Sequence, residues 1–218
     1  MQSYIFLGPP ASGKGTQAKI LAEELGLTYF GTGDLMRQEV KKRTHFGQIF
    51  QSVWTAGKGG LVDDETVLQF VKNKLDEMDQ SHGFVFDGFP RTLDQAKFLK
   101  KELNQDIWVL NVKVSDETIV ERSTTRRVCE NCEKIYFQPA PNKKRCDACG
   151  GELIHRIEDT PEIVQKRLDV YNRLTQPLID YYNQENRLIN IDGEPNIEEV
   201  TLEIIAKINE QRKNKNYN

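Results

Sequence analysis

The chain has 218 residues, longer than one typical domain of roughly 100–150 residues but within reach of a single α/β unit that carries insertions. With 38% apolar residues, 29% charged residues and a net charge of -3, it can bury a core and lacks the cationic excess of a general polyanion binder. No apolar run approaches the ~20 residues that span a bilayer and no basic, signal-like leader opens the sequence, so a cytoplasmic protein without membrane or nucleic-acid partners is expected.

Residues 3–7 read as a buried strand that runs into Gly8-Pro-Pro-Ala-Ser-Gly-Lys-Gly-Thr16, ahead of a helical pattern over residues 17–25. A glycine-opened turn between strand and helix aims several backbone N–H groups at one point, where the positive helix end and Lys14 add charge. Gly8, Gly13 and Lys14 stand at the Walker A spacing. Gly15 takes the place of the usual Ser or Thr, which makes Thr16 the hydroxyl nearest an expected Mg2+. The segment has two other readings, an ordinary Gly/Pro loop and a dinucleotide-binding turn in which Gly13, Gly15 and Ala18 fit GxGxxA and Asp34 is the ribose acid. The latter needs its first glycine at the strand end, and the apolar run stops at Gly8 instead, so the phosphate cradle is preferred.

Residues 28–30 form a second predicted strand, and residues 31–62 look helical and basic, as an inserted unit would. A helix is predicted over 64–78. It contains Asn73-Lys-Leu-Asp76, the NKxD spelling used to read guanine, but Val67, Val71, Leu75 and Met78 recur around it at helical spacing and the match is treated as chance. The buried run 83–86 ends on Asp87, in the manner of a Walker B strand. That carboxylate could hold Mg2+ directly or through water, or cap the following turn. Gly88-Phe-Pro-Arg91 then presents a guanidinium, with Gln95 in a helix over 93–102. A strand at 107–114, helices at 116–124 and 161–182, a strand at 187–191 and a helix at 197–211 complete the alternation, with 211–218 as its frayed end. Five strands interleaved with helices imply a parallel sheet covered on both faces. Arg122, Arg126, Arg127, Arg156 and Arg167 follow Arg91 along the chain. A lone arginine is usually a solvated surface residue, but a group of them near a phosphate cradle supplies planar, bidentate, permanently charged contacts.

Residues 126–158 carry short strand-like pieces and all four cysteines, as Cys129-Glu-Asn-Cys132 and Cys146-Asp-Ala-Cys149. Two such knuckles bring four thiolates to the corners of a tetrahedron, the arrangement of structural Zn2+ with no open position. Two disulfides are the main alternative, opposed by the expected compartment, and iron suits the same cage. Asn142-Lys-Lys-Arg145 adds positive charge, which leaves a nucleic-acid-binding zinc ribbon as another class of function.

Taken in order, residues 8–17, Thr32-Gly-Asp-Leu-Met-Arg37, Asp87-Gly-Phe-Pro-Arg-Thr92 and Arg126-Arg127 resemble the adenylate kinase family over nearly the whole chain. GKGTQ at 13–17 and DGFPRT at 87–92 are the most specific pieces. The resemblance implies a P-loop NTPase-like α/β fold: a five-stranded parallel sheet flanked by helices (residues 1–30, 63–124 and 160–218), an inserted helical AMP-binding domain (31–62) and a small zinc-binding lid (125–159). It implies transfer of the terminal phosphoryl group of ATP to AMP, giving two ADP, by a monomer that uses Mg2+ with ATP and structural Zn2+. Carried over by position, Ala11, Ser12, Gly13, Lys14, Gly15 and Thr16 resemble the ATP phosphate loop, Arg122 and Arg126 the arginines closing from the lid side, and Tyr136 and Pro195 the flanks of the ATP adenine. Thr32, Arg37, Gly60, Leu61, Val62, Gly88, Phe89, Pro90, Arg91 and Gln95 resemble the AMP site, with Thr32 and Gln95 at adenine and Arg37 and Arg91 at phosphate. Arg156 and Arg167 resemble arginines that contact the transferring phosphates, and Asp159 a hinge-side carboxylate. Cys129, Cys132, Cys146 and Cys149 resemble the zinc ligands and Asp87 a Mg2+ ligand acting through water. The chain departs from the family pattern at Ala11 and Thr125, both usual glycines, at residues 57–60, which carry two extra residues, and at Glu158, where paired aspartates are usual. A kinase for another monophosphate, such as UMP or CMP, is the rival within the same chemistry.

Overall fold

The computed structural model describes residues 1–56, 62–103, 105–137, 139–140, 142–156 and 159–216, with side chains through residue 213. Its strands, among these residues, are β1 (Gln2–Leu7), β2 (Thr28–Gly31), β3 (Phe84–Asp87), β4 (Asp106–Lys113), β5 (Arg127–Cys129), β6 (Ile135–Tyr136), β7 (Leu153–Ile154) and β8 (Leu188–Asp192). The first four and the last build one parallel sheet in the order β2-β3-β1-β4-β8, and β5 pairs with β6 and β7 in a small antiparallel sheet. The helices are α1 (Lys14–Leu25), α2 (Thr32–Lys42), α3 (His45–Thr55), α4 (Asp64–Glu77), α5 (Leu93–Glu102), α6 (Asp116–Thr125), α7 (Pro161–Val170), α8 (Gln176–Gln184) and α9 (Ile197–Asn216).

Strand β1 is apolar on both faces because it is central and both faces are covered. Tyr4 and Phe6 join Ala18, Leu21 and Ala22 of α1 and Val200, Ile204 and Ile208 of α9 on one side. Ile5 and Leu7 join Phe30, Phe84, Phe86 and residues of α4, α5 and α8 on the other. Tyr4, Ile5 and Phe6 are at most 1% exposed, and burial of each such side chain stabilises the fold by ~1.5–3 kcal/mol. The order places β3 and β4 on either side of β1, so the chain reverses its direction of travel across the sheet there and leaves a crevice beyond the strand ends. In register, Phe6 and Gly31 both lie beside Asp87.

Several helix starts are written in the sequence. Thr44, Asp63, Thr92, Ser115 and Thr160 accept hydrogen bonds from the N–H groups of Gly47, Thr66, Gln95, Thr118 and Ile163, each cap worth ~1 kcal/mol. The single helix expected over 161–182 is instead α7 and α8 with a π-helical stretch, Tyr171–Thr175, between them. Pro177, at the start of α8, has no N–H to give the carbonyl four residues back, and the turn before it widens. The helix expected from residue 17 begins at Lys14, directly after Gly13, whose φ of 88° lies in the left-handed region. The last helix continues past residue 211 to Asn216. No helix among the described residues is long and apolar enough to cross a membrane.

Candidate active site

The turn from β1 into α1 forms a compact loop: Ser12 N–H donates to the Pro9 carbonyl at 3.3 Å, and the N–H groups of Thr16 and Gln17 donate to the Gly13 carbonyl at 3.0 and 3.1 Å. Ala11 sits in it with φ 58°, a left-handed conformation that a glycine adopts without penalty and an alanine does not. Lys14 lies over the loop with Nζ donating to the Pro9 carbonyl at 3.0 Å. Its side chain keeps some contact with the open crevice, yet the dense protein around it lowers its pKa from 10.5 to about 8 by desolvation. Asp87 opposes that shift, while Arg91, Arg167 and Arg126 reinforce it. The loop therefore looks onto a point where several cations converge with a single nearby carboxylate among the groups that influence Lys14.

Asp87 ends β3 beside this loop, and a Cβ built on Gly15 would lie 2.8 Å from Asp87 Oδ2. Glycine at the usual Ser/Thr position thus lets the carboxylate come close without having to shift. Asp87 Oδ1 is buried and has no hydrogen-bond partner, a costly arrangement that a polar ligand or water would relieve. Tyr29 Oη lies 3.2 Å from Asp34 Oδ2 and 3.4 Å from Asp87 Oδ2. Burial first, then the two carboxylates, push the Tyr29 hydroxyl far above its usual range, so it is a proton donor. Asp34 is ion-paired with Arg37 and with Lys19, at 2.8 Å for the latter. Burial works against its charge, but these two cations hold the carboxyl below its usual range. Asp34, the ribose acid of the dinucleotide alternative, is therefore engaged by cations in the first turn of α2.

The turn after β3 carries a cis Phe89–Pro90 bond and points Arg91 into the crevice, with Nε donating to the Gly88 carbonyl at 2.8 Å. Burial lowers the Arg91 pKa, partly offset by Asp87. Gln95 accepts from Arg91 N–H at 2.7 Å and donates to Asp64 Oδ1 at 2.7 Å, while Asp64 Oδ2 accepts from Thr92 at 2.7 Å. One N–H and one lone pair of the Gln95 amide remain. Thr32 is buried nearby in sequence to Asp34 with Oγ1 lacking a partner, as do Arg37 Nε and Ser12 Oγ.

On the other side, Arg126 is buried and gripped by Asp159, itself fully buried, with Nε donating to Oδ2 at 2.8 Å and Nη2 to Oδ1. Arg167 lies 3.9 Å from the same carboxylate. Arg122 instead donates to the carbonyls of Gly193 and Glu194 at 2.8 and 2.9 Å, which places its guanidinium against the loop that carries Pro195. The four cysteines are unbridged, with Sγ separations of 3.3 Å for Cys129–Cys149 and 3.5 Å for Cys132–Cys146, well beyond the ~2.05 Å of a disulfide. All four Sγ atoms lie within 4.8 Å of one another, a set that can hold a metal ion. Tyr136 donates its hydroxyl to Cys146 Sγ at 3.2 Å and accepts from Asp147 N–H at 3.0 Å. That bond lowers the Cys146 thiol to about 6. A cleft of about 460 Å3, lined in part by Lys19, Tyr29, Asp34, Lys41 and Glu133, lies between α2 and the first knuckle, and Lys41 reaches Glu133 across it at 3.3 Å.

The family model described as adenylate kinase matches residues 6–187. Among curated proteins, the adenylate kinase of Archaeoglobus fulgidus is 46% identical over 94% of this chain and 96% of its own length. That of Petrotoga mobilis is 45% identical over 92% and 94%. That of Methanocella arvoryzae is 42% identical over 94% and 97%. The chain belongs to the adenylate kinase family.

For a member of the adenylate kinase family, the expected residues fall into connected groups. Lys14 of the phosphate loop feels the charges of Asp87, Arg91, Arg126 and Arg167, Arg126 and Arg167 share the Asp159 carboxylate, and Arg37 pairs with Asp34. Arg156, half-buried, precedes Asp159, whose N–H donates to the Arg156 carbonyl at 3.1 Å. Val62 is buried in the apolar cluster with Phe50 and Phe70, whereas Gly60, Leu61 and Glu158 lie outside the described residues. The NKxD match sits on α4 with Asn73 and Asp76 exposed and Leu75 buried, as a helix face would place them. Sequence reasoning did not single out Tyr29 or Asp64. Asp64 carries only an N-terminal helix signal, and its contacts to Thr92 and Gln95 span about thirty residues of chain.

Proposed function

We propose that this chain transfers the terminal phosphoryl group of ATP reversibly to AMP, giving two ADP, with ATP on the phosphate loop beneath the cysteine lid and AMP against the helical insertion. The observation that carries this is the crowding of Lys14, Arg91, Arg126 and Arg167 near the end of β1, where burial first and the guanidiniums second lower Lys14 to about 8, Asp87 opposes them, and further anions are what such a cluster can take. Two nucleotides meeting phosphate to phosphate would supply them. The AMP phosphate is already an anionic nucleophile, so no protein base is required and the residues act by alignment and charge neutralisation. Lys14 and the backbone of residues 11–16 hold the ATP phosphates, Arg37 and Arg91 hold the AMP phosphate, and Arg156 and Arg167 steady the group in transit. Thr32 and Gln95, which retain unused hydrogen-bonding capacity, read the AMP adenine beside Val62 and the Gly88-Phe89-Pro90 turn.

Arg122 and Pro195, brought together at the loop after β8, flank the ATP adenine with the Tyr136 ring. Arg126 and Asp159 form the base about which the lid closes. Mg2+, when bound to ATP, would neutralise phosphate charge; Asp87 Oδ1 and Thr16 are the groups fitted to hold it through water. The cysteines suit Zn2+ in a closed, structural role, since a Zn–S bond of ~2.3 Å in a tetrahedron sets thiolates ~3.8 Å apart, within the spread seen here. Water is the competing acceptor, and closure of both inserted units before transfer is what excludes it. The inserted units are residues 31–62 and 125–159, and the protein acts as a cytoplasmic monomer without nucleic-acid or membrane partners.

Steady-state turnover with AMP, UMP, CMP, GMP and dTMP tests the assignment. A clear preference for AMP is expected, together with tight competition by two adenosines joined through five phosphates. Preference for another monophosphate, or failure of the mimic to bind, would overturn it.

A further inference from the structure

We propose that Tyr29 is a positioning residue that ties the carboxylate at the end of β3 to the arginine of α2, and so couples the metal subsite to the acceptor-phosphate subsite. This rests on the assignment above of Asp87 to Mg2+ and Arg37 to the AMP phosphate. Residues 29 and 31 share a face of β2, because side chains alternate along a strand. Gly31 leaves that face bare, and a Cβ there would collide with the Tyr29 ring, so the phenol lies across residue 31 toward the strand ends. Gly31 is in turn paired in register with Asp87. The hydroxyl thereby reaches both Asp34, at 3.2 Å, and Asp87, at 3.4 Å.

The consequence for each carboxylate differs. Asp34 already has Lys19 and Arg37, and it passes the constraint on to Arg37 through their ion pair. Asp87 has its Oδ2 pinned between the Tyr29 hydroxyl and the bare backbone of Gly15, which fixes the rotation of the group. Rotation so fixed leaves Oδ1 buried and without a hydrogen-bond partner. A hydroxyl carries one proton and lies between two anions; without it the two carboxylates lose the donor that separates them. Lys19, whose Nζ stands 5.3 Å from the Tyr29 ring centroid, holds the ring from the solvent side.

Tyr29→Phe removes the hydroxyl and keeps the ring. Its expected signature is a rise of about three- to tenfold in the Mg2+ concentration for half-maximal turnover and a rise of a few fold in the KM for AMP. The kcat at saturating Mg2+ and AMP and the KM for ATP should stay within about twofold, with the melting temperature little changed. Gly31→Ala, which displaces the ring with its hydroxyl intact, should give the same signature below its own melting temperature. Unchanged Mg2+ and AMP dependence in Tyr29→Phe, or a fall in melting temperature and kcat alone, would overturn the proposal and make Tyr29 a packing residue. Asp87→Asn separates the two levels of inference. If it raises the Mg2+ requirement while Tyr29→Phe does not, only the coupling fails; if it leaves the Mg2+ requirement unchanged, the assignment of Asp87 fails and the proposal with it.

Discussion

Residues 32–55 and residues 127–154 both stand beside the crevice, and they keep their shape by different means. The first is two helices with rings at their centre: Phe50 is fully buried, stacked on Phe46 with centroids 6.0 Å apart and edge-on to Phe70 of α4 at 5.0 Å. The second has Val128, Cys129 and Cys146 as its buried apolar residues among those described, too few for a core. Its four thiols converge on one point, a set that can hold a metal ion. The first is built on area removed from water, and the second offers a metal ion four thiols in place of a core. The first should therefore fail by cavity formation and the second by loss of an ion.

The largest expected effect is on the cysteine segment. Stripping metal with a chelator, or replacing Cys129 and Cys146 with Ser, should open residues 127–154 to protease while residues 32–55 stay resistant, since zinc binding on the order of 10 kcal/mol acts as folding free energy in such small units. Resistance of the metal-free segment would end the contrast. The mirror experiment is Phe50→Ala, expected to cost ~3–5 kcal/mol in a denaturant titration and to move the first protease cuts into residues 32–55 without loss of bound metal. Cuts in the cysteine segment instead would show that the two are not independently held.

Beneath both lies a floor that is strained by charge, which sharpens the comparison. Lys14→Met should abolish turnover and yet stabilise the nucleotide-free protein by ~1–3 kcal/mol at neutral pH, because a cation that folds at a cost is removed. The folded pKa of about 8 lies below the unfolded 10.5, so the folded state binds fewer protons between those values. Stability of the parent should accordingly rise as pH climbs from about 8 toward 10.5, and the advantage of the variant should vanish over that window. A variant no more stable than the parent at pH 7 would contradict this. The smallest effect belongs to the link between the two segments: Lys41→Glu, which replaces the 3.3 Å ion pair with Glu133 by two like charges, should change stability by ~0.2–1 kcal/mol and lose even that in high salt.

Local signals made much of the molecule legible. The glycine-rich turn, the run into Asp87 and the two cysteine knuckles each operate within a few residues, so spacing alone identifies them. The break in the helix over 161–182 follows from Pro177, whose missing N–H periodicity does not register. Contacts that close across the sheet left no such trace. Tyr29 reads as an ordinary strand residue until β3 is laid beside it, and Gly31 as the first residue of the helical insertion until the phenol occupies its face. Arg122 belongs to the same arginine series as Arg126, and only the fold separates them, sending one to the carbonyls of Gly193 and Glu194 and the other to Asp159.

Ala11 holds a backbone angle that an isolated alanine would abandon, at a cost of ~1–2 kcal/mol. The phosphate loop is thus a sprung part, kept in tension by the strand before it and the helix after it, and any loosening of those neighbours would be felt first as a change in the curvature of the cradle.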